Sequence, residues 1–303
     1  PRERLNNILK ALNPIGIITN DKGMTLVDIL PTMFTINIDH IEANNYSEEC
    51  IMEGLNDQID TDPFCIINTS GSTGTPKGVV LNHKSFFDFT EWAFSTFSLN
   101  KHDRIGSLSP VVFDIYDFEL CFMMSKGATI VLLDAANAAF PARLLQTLQK
   151  QEVTFLFWVP TIMVNIANMD LLSKIDLNRL KTVWFAGEVF PTKQFNYWRS
   201  KLPNVTFANL YGPIEITLDC IYYIADSLIP EDEFMPIGIP CSNTDILLLN
   251  EKDELCMDDE EGEICVRGTS LAMGYYNNWE KTKLAFVQNP LNHSYPEIIY
   301  RTG

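Results

Sequence analysis

The sequence predicts an α/β fold: parallel-rich sheets flanked by helices, with a small β-rich, barrel-like subdomain behind them. Three observations carry this. Short apolar runs rich in aromatic and β-branched residues alternate with stretches of helical period through the middle of the chain, a rhythm that builds parallel sheets. The rhythm stops near Met235. Beyond it come only short strand-like runs separated by acidic turns, with no convincing long helix. The division this suggests is an α/β core over residues 1–234 and a β-rich subdomain over 235–303.

The elements follow in order. "ERLNNILKALN" sets Leu5, Ile8, Leu9 and Leu12 on one helical face. "DPFCIINTS" reads as a buried strand entering a loop, and "GVVLN" as a strand leaving it. "HKSFFDFTEWAFSTF" reads as a helix with Ser85 as a candidate cap. Then "ATIVLLD", "VTFLFWVP", "KTVWFAG" and "VTFANLYG" read as strands. Between them "PARLLQTLQKQ", "PTIMVNIANM" and "TKQFNYWRSKL" read as helices. "TDILLLN", "GEICVRG" and "MGYYNN" are the late short strands. Ligands of such sheets sit at the carboxyl ends of strands, so the runs ending in "NTS", "FAG" and "LYG" mark the candidate site.

The chain has 303 residues, 46% of them hydrophobic, room for a large core. A formal net charge of -17 argues against a nucleic-acid or anionic-membrane surface, though not against a nucleotide in a locally positive site. The seven cysteines are scattered, with no C-x-x-C pair and no nearby histidine, which favours free thiols in a reducing compartment, the cytoplasm. No apolar run approaches the ~20 residues of a membrane span.

One loop stands out. "NTSGSTGTPKGVV", Asn68 to Val80, gathers Thr69, Ser70, Ser72, Thr73 and Thr75 around Gly71, Gly74 and Gly78, with Lys77 as the single cation. A Walker loop needs a glycine where Pro76 stands, a Ser or Thr where Gly78 stands, and a helix after it; all three are missing. What remains is a strand–loop–strand whose hydroxyls and backbone N–H groups can wrap a polyphosphate. A plain surface turn is the alternative that the loop alone leaves open.

The ordered string "TSGSTGTPKG" resembles the phosphate loop of the adenylate-forming ligases, the superfamily of acyl-CoA synthetases, luciferases and amino-acid adenylation domains. "NLYGPIE" at 209–215, "GEICVRGTSLAMGYY" and the terminal "YRTG" resemble three further segments of the family in the same order. "FDIYDFE" and "FAGEVFP" look most like amino-acid adenylation domains, including nonribosomal peptide synthetase modules and D-alanine–carrier protein ligases. The resemblance implies an enzyme that joins an amino acid to AMP at the expense of ATP, with Mg²⁺, releases pyrophosphate, and hands the acyl group to a carrier protein's phosphopantetheine thiol.

It also implies roles. Thr69, Lys77 and Glu215 would be catalytic, with Glu215 the Mg²⁺ ligand. Thr69, Ser70, Gly71, Ser72, Thr73, Gly74, Thr75 and Lys77 would hold phosphates; Gly187, Asn209, Leu210, Tyr211 and Gly212 would line the adenosine site. Asp114 would meet the substrate ammonium. Ile115, Phe118, Phe157, Trp184, Ala186, Leu210, Leu218 and Asp219 would wall a small pocket, suited to alanine or serine. Physically the scheme is coherent: two anions must meet, so positive charge, a metal and positioning are needed, and Mg²⁺ takes few carboxylates. Without the motifs, Glu215 reads as a solvated charge, Asp114 as a helix cap, His83 as a structural histidine and the aromatics as core.

Two positions depart from the family pattern. Ile214 stands where a phosphate-contacting threonine is usual, and Tyr116 where a serine is frequent. An isoleucine donates no hydrogen bond, forgoing ~1–3 kcal/mol. The resemblance further implies that these residues are the central body of a longer protein, poorly active alone, whose mobile C-terminal domain with its catalytic lysine lies elsewhere. The competing readings are a fatty- or aryl-acid:CoA ligase of the same fold, against which Asp114 argues, and a non-catalytic adenylate-binding module.

Overall fold

A computed structural model describes residues 2–23, 33–41, 47–69 and 77–303. The chain divides into two compact units, Pro1–His83 with Met273–Thr282, and Lys84–Ala272 with Lys283–Gly303. Among the described residues no helix is long and apolar enough to cross a membrane.

The first unit opens with α1 (Arg2–Leu12) and a parallel pair, β1 (Gly16–Thr19) and β2 (Phe34–Asn37), followed by α2 (Glu48–Asn56). Its main feature is an antiparallel hairpin, β3 (Pro63–Thr69) and β4 (Lys77–Asn82), with Thr69 opposite Lys77. Val79 and Leu81 alternate into the core at 0% exposure, the period-2 pattern of a half-buried strand. A strand therefore flanks the hydroxyl-rich loop on each side, as the sequence predicts; residues 70–76 of the loop itself lie outside the described residues. Late in the chain β14 (Gly274–Tyr275) returns to pair with β4.

The second unit is built on a seven-stranded sheet of order β11-β10-β9-β8-β7-β5-β6. The strands are β5 (Arg104–Ser107), β6 (Thr129–Leu132), β7 (Phe155–Trp158), β8 (Thr182–Phe185), β9 (Thr206–Tyr211), β10 (Ile221–Ile224) and β11 (Ile239–Pro240). Five of them, β5 to β9, run parallel; β10 and β11 are antiparallel. Alternation sorts the side chains. Leu156, Trp158, Val183, Phe185 and Phe207 join one core with Leu144, Leu145 and Leu148 of α5 (Pro141–Lys150), with α6 (Pro160–Asn168), and with Phe195 and Trp198 of α7 (Thr192–Lys201). The alternate residues Phe155, Phe157 and Trp184 meet Phe89 and Trp92 of α3 (His83–Phe97) and Phe118 of α4 (Asp114–Lys126). α4 ends on Gly127, whose φ of 71° lets its N–H reach Met123 O.

Two expectations need correction. The helix α3 begins at His83, so Ser85 is not its cap: fully buried, it hydrogen bonds Thr217 Oγ1 at 2.9 Å. The β-rich piece is not closed. Strands β12 (Thr244–Leu249), β13 (Glu263–Gly268), β15 (Phe286–Gln288) and β16 (Ile298–Arg301) form an open antiparallel sheet of order β12-β13-β16-β15. Four short strands cannot curl round a filled interior, for which about eight are needed. Val266 and Tyr300 of this sheet instead pack on Ile216, Cys220 and Ile221. Arg301, of the terminal "YRTG", ties the sheet to Glu263 and Asp253 by ion pairs of 2.6 and 2.7 Å. All six described cysteines are free.

Candidate functional site

Strand order locates the site. The chain leaves β5 through α4 toward β6 on one side and leaves β7 toward β8 on the other, so the crevice past the carboxyl ends of the neighbouring β5 and β7 is a topological switch point. Asp114, the first residue of α4, follows β5 there. Its Oδ2 accepts from Leu218 N at 3.1 Å and its Oδ1 from Ile115 N at 3.0 Å. Burial outweighs both bonds and pushes the carboxyl up to about 6.

Behind Asp114 lies an aromatic wall. Phe157 and Trp184 are register partners on β7 and β8, so they share one face of the sheet. Trp184, fully buried, is surrounded by six rings, from Phe97 at 4.7 Å through Phe155, Phe118, Phe157 and Trp92 to Phe89 at 6.4 Å, with Phe118 stacked on it. Phe118, Phe157 and Leu210 are 0, 1 and 2% exposed, so the wall is solid core as well as candidate lining. Trp158 and Trp198 give their indole N–H groups to Gly106 O and Met163 O; Trp184 Nε1 has no partner among the described residues. A buried donor left unmade costs about 1–3 kcal/mol.

The other wall is a strained turn. After β9, Gly212 and Pro213 lead into a 3₁₀ turn, Ile214–Ile216, then into Thr217 and Leu218 at φ 57° and 64°. Left-handed backbone is disfavoured for a β-branched residue, and each such residue costs about 1–3 kcal/mol unless its surroundings hold it. Here they do: Thr217 is clamped by Ser85, Leu218 N by Asp114, and Cys220 N by Tyr211 O at 2.9 Å. The turn delivers Leu218 and Asp219 to the pocket side of β10, at 3 and 4% exposure. Burial, and then the neighbouring Asp114, hold the Asp219 carboxyl well above the usual range.

Comparison with known proteins follows from this geometry. Residues 2–276 match the family described as AMP-binding enzyme. The chain belongs to the AMP-binding enzyme family. It is 30% identical to delta-poly-L-ornithine synthetase of Acinetobacter baumannii and to gramicidin S synthase 1 of Brevibacillus brevis, along its whole length, spanning 22% and 26% of those proteins. It is also 30% identical to a D-alanine–D-alanyl carrier protein ligase of Bacillus cereus, over 79% of this chain and 47% of that one. The chain thus spans less than half the length of these relatives. Among solved structures, the nonribosomal peptide synthetase FmoA3 in its alpha-methyl-L-serine-AMP bound form covers all of this chain with a TM-score of 0.88 at 22% identity, a shared fold.

The remaining residues that the family resemblance singles out are placed as follows. Gly187, at φ 83°, ends β8; Asn209, Leu210 and Tyr211 end β9, the carboxyl edge in both cases. Asn209 spends its amide on Pro236 O at 2.9 Å. Thr302 of "YRTG" gives its hydroxyl to Ile264 O at 2.9 Å, which joins two of the family segments. Glu215, 8% exposed, sits on the 3₁₀ turn. Ala186 is buried and Ile115 half-buried beside Asp114. Thr69 and Lys77 are the facing ends of the hairpin, with Lys77 Nζ 5.0 Å from the Tyr275 ring, and His83 sets its ring edge against Phe64. Ser70, Gly71, Ser72, Thr73, Gly74 and Thr75 lie outside the described residues. The sequence reading passed over Glu119, fully buried beside Ser107, whose signal was an acid inside the apolar run "DFELCF". It also passed over Thr217, for which residue type gives no signal.

Proposed function

We propose that the intact protein adenylates a small amino acid with ATP, releases pyrophosphate, and passes the aminoacyl group to the phosphopantetheine thiol of a carrier protein. One observation carries the reading: a carboxylate, Asp114, stands at the switch point of the sheet before an apolar aromatic wall. A carboxylate so placed is costly unless a cation meets it, which suits an α-ammonium and not the tail of a fatty or aryl acid. The relatives' names, synthetases and a D-alanyl carrier protein ligase, accord with this.

In this reading Thr69, the loop 70–75 and Lys77 hold the phosphates, while Gly187, Asn209, Leu210, Tyr211 and Gly212 line the nucleoside site. Glu215 would hold Mg²⁺. Among the described residues no three His, Cys, Asp or Glu side chains cluster as metal ligands; one carboxylate on a tight turn suits Mg²⁺, which draws its other ligands from phosphate and water. The ion would supply positive charge for the negative charge developing on the phosphates. The free thiols accord with a cytoplasmic setting. The proposed boundary at 234/235 leaves the four-stranded sheet, from Thr244 on, in the β-rich part.

The test is amino-acid-dependent ATP–pyrophosphate exchange by the intact protein. Exchange with at least one small amino acid is expected, and Asp114→Ala should lower kcat/KM by about a hundredfold, the loss of one buried charge-assisted pair. Absence of exchange with every proteinogenic and D-amino acid overturns the reading. Ile214 favours a second one, ATP binding without turnover, which gains if Ile214→Thr also yields no exchange.

A further inference from the structure

The pocket holds one carboxylate more than an α-ammonium requires. Asp219 is 4% exposed, and no described residue donates a hydrogen bond to its carboxyl group. Among the described residues the only hydrogen bond at this residue is made by its backbone oxygen, which faces Cys241 Sγ at 3.8 Å. The ionisable groups that interact with it are Asp114, Cys220 and Cys241, none of them a cation. Three constraints put the two acids together. Asp114 Oδ2 is bonded to the backbone of the preceding residue, Leu218. The strained Thr217–Leu218 pair fixes the chain direction just before Asp219. Gly212 lies so close beneath that an added Cβ would come within 2.5 Å of Asp219 Cα. A core residue under no such constraint would be apolar, as its neighbours Leu218 and Cys220 are. A buried acceptor without a donor is stable only if something completes it.

We propose that Asp219 is a specificity residue that receives a second amine of the substrate, and that this pocket takes a short diamino acid with its two amines one or two carbons apart. This rests on the reading above, in which Asp114 receives the α-ammonium. A single ammonium would satisfy one carboxylate and leave the other buried and unmatched; two close ammonium groups match both. The short spacing follows from the shared backbone anchor, since Asp114 Oδ2 holds the N–H of the residue next to Asp219, and from the bulk of the buried Phe118, Phe157 and Trp184.

Exchange kinetics of the intact protein test this with 2,3-diaminopropionate, 2,4-diaminobutyrate, ornithine, lysine, alanine, serine and β-alanine. The expected result is a preference for the two short diamino acids over alanine and serine of about 10⁴-fold in kcat/KM, the scale on which a site built for a polar group rejects an analogue without it. Asp219→Asn should erase that preference, bringing the ratio of kcat/KM for the short diamino acids over alanine to about one. Calorimetric binding of 2,3-diaminopropionate and alanine to the wild-type protein reads the same ratio without any variant. Preference for alanine, serine or β-alanine in the wild type, or an unchanged ratio in Asp219→Asn, overturns the inference and leaves amino-acid adenylation standing. No exchange with any amino acid overturns adenylation itself.

Discussion

Glu119 shows what a single buried acid does to the energetics of this fold. It follows Phe118 on α4, is 0% exposed, takes the Ser107 hydroxyl on Oε2 and leaves Oε1 without a partner among the described residues. Burial pushes its carboxyl from 4.5 up to about 8. A raised acid means that the folded state binds a proton that the unfolded state has released, so stability falls as pH rises between these two values and levels off above the higher one. Removing the ionisable group should remove that fall. In unfolding measurements on the intact protein, Glu119→Gln should lose a pH-dependent penalty on the order of a few kcal/mol between pH 5 and 8, and should match or exceed the wild type at pH 8. Asp114 and Asp219 are raised in the same sense, so the informative quantity is the difference between variant and wild type. Parallel pH profiles would show that Glu119 is ionised in the fold.

At the scale of elements, the turn between β9 and β10 carries the most consequence. It bears Glu215, the strained pair Thr217–Leu218 and Asp219, and it rests on Gly212. A Cβ on Gly212 would meet Leu218 O at 2.4 Å and Asp219 Cα at 2.5 Å, both backbone atoms that cannot swing aside. Gly212→Ala should therefore destabilise the fold by about 1–3 kcal/mol and also raise the KM for the amino acid. Urea unfolding and exchange kinetics read the two effects; a stability loss with an unchanged KM would separate the turn from substrate binding. The same turn marks the limit of what was legible beforehand. "NLYGPIE" announced a site because it is a local string with fixed spacing. The positive φ of Thr217 and Leu218 was invisible, since it is imposed by Ser85 and Asp114, 132 and 104 residues away in sequence. Four strands of the main sheet, β6 to β9, were legible as short apolar runs, as β7 and β8, buried on both faces, require; β5, β10 and β11 were passed over. The place of β5 between β6 and β7, and the open edge of the late sheet, depend on non-local pairing that no local window encodes.

For the molecule as a whole, the parallel sheet has two ends, and they differ in what they can do. Asp114, Gly187, Tyr211 and Glu215 lie past its carboxyl ends. A cavity of about 610 Å³ opens at the other end, lined by Asp103, Lys181, Thr182, Asn204 and Thr206 at or before the first residues of β5, β8 and β9, and by Asp226 just past the antiparallel β10. By volume alone it is an attractive site. Its chemistry is weaker: Lys181 is 58% exposed and reaches Asp103 at 3.8 Å, while Asp103 is already engaged by Thr154 Oγ1 and Asn100 N. The Asp103 carboxylate thus secures the turn before β5 and does not wait for a ligand. Backbone and side-chain groups converge on a switch point only at the carboxyl end, where a right-handed β-α connection leaves a crevice. Substitutions at the amino end should therefore act on the surface alone. Lys181→Ala is expected to change stability by less than about 0.5 kcal/mol and to leave exchange kinetics within about twofold of wild type, against the hundredfold loss for Asp114→Ala. A comparable loss in Lys181→Ala would move the active site to the wrong end of the sheet for this fold and undo the assignment of Asp114 and Asp219 together.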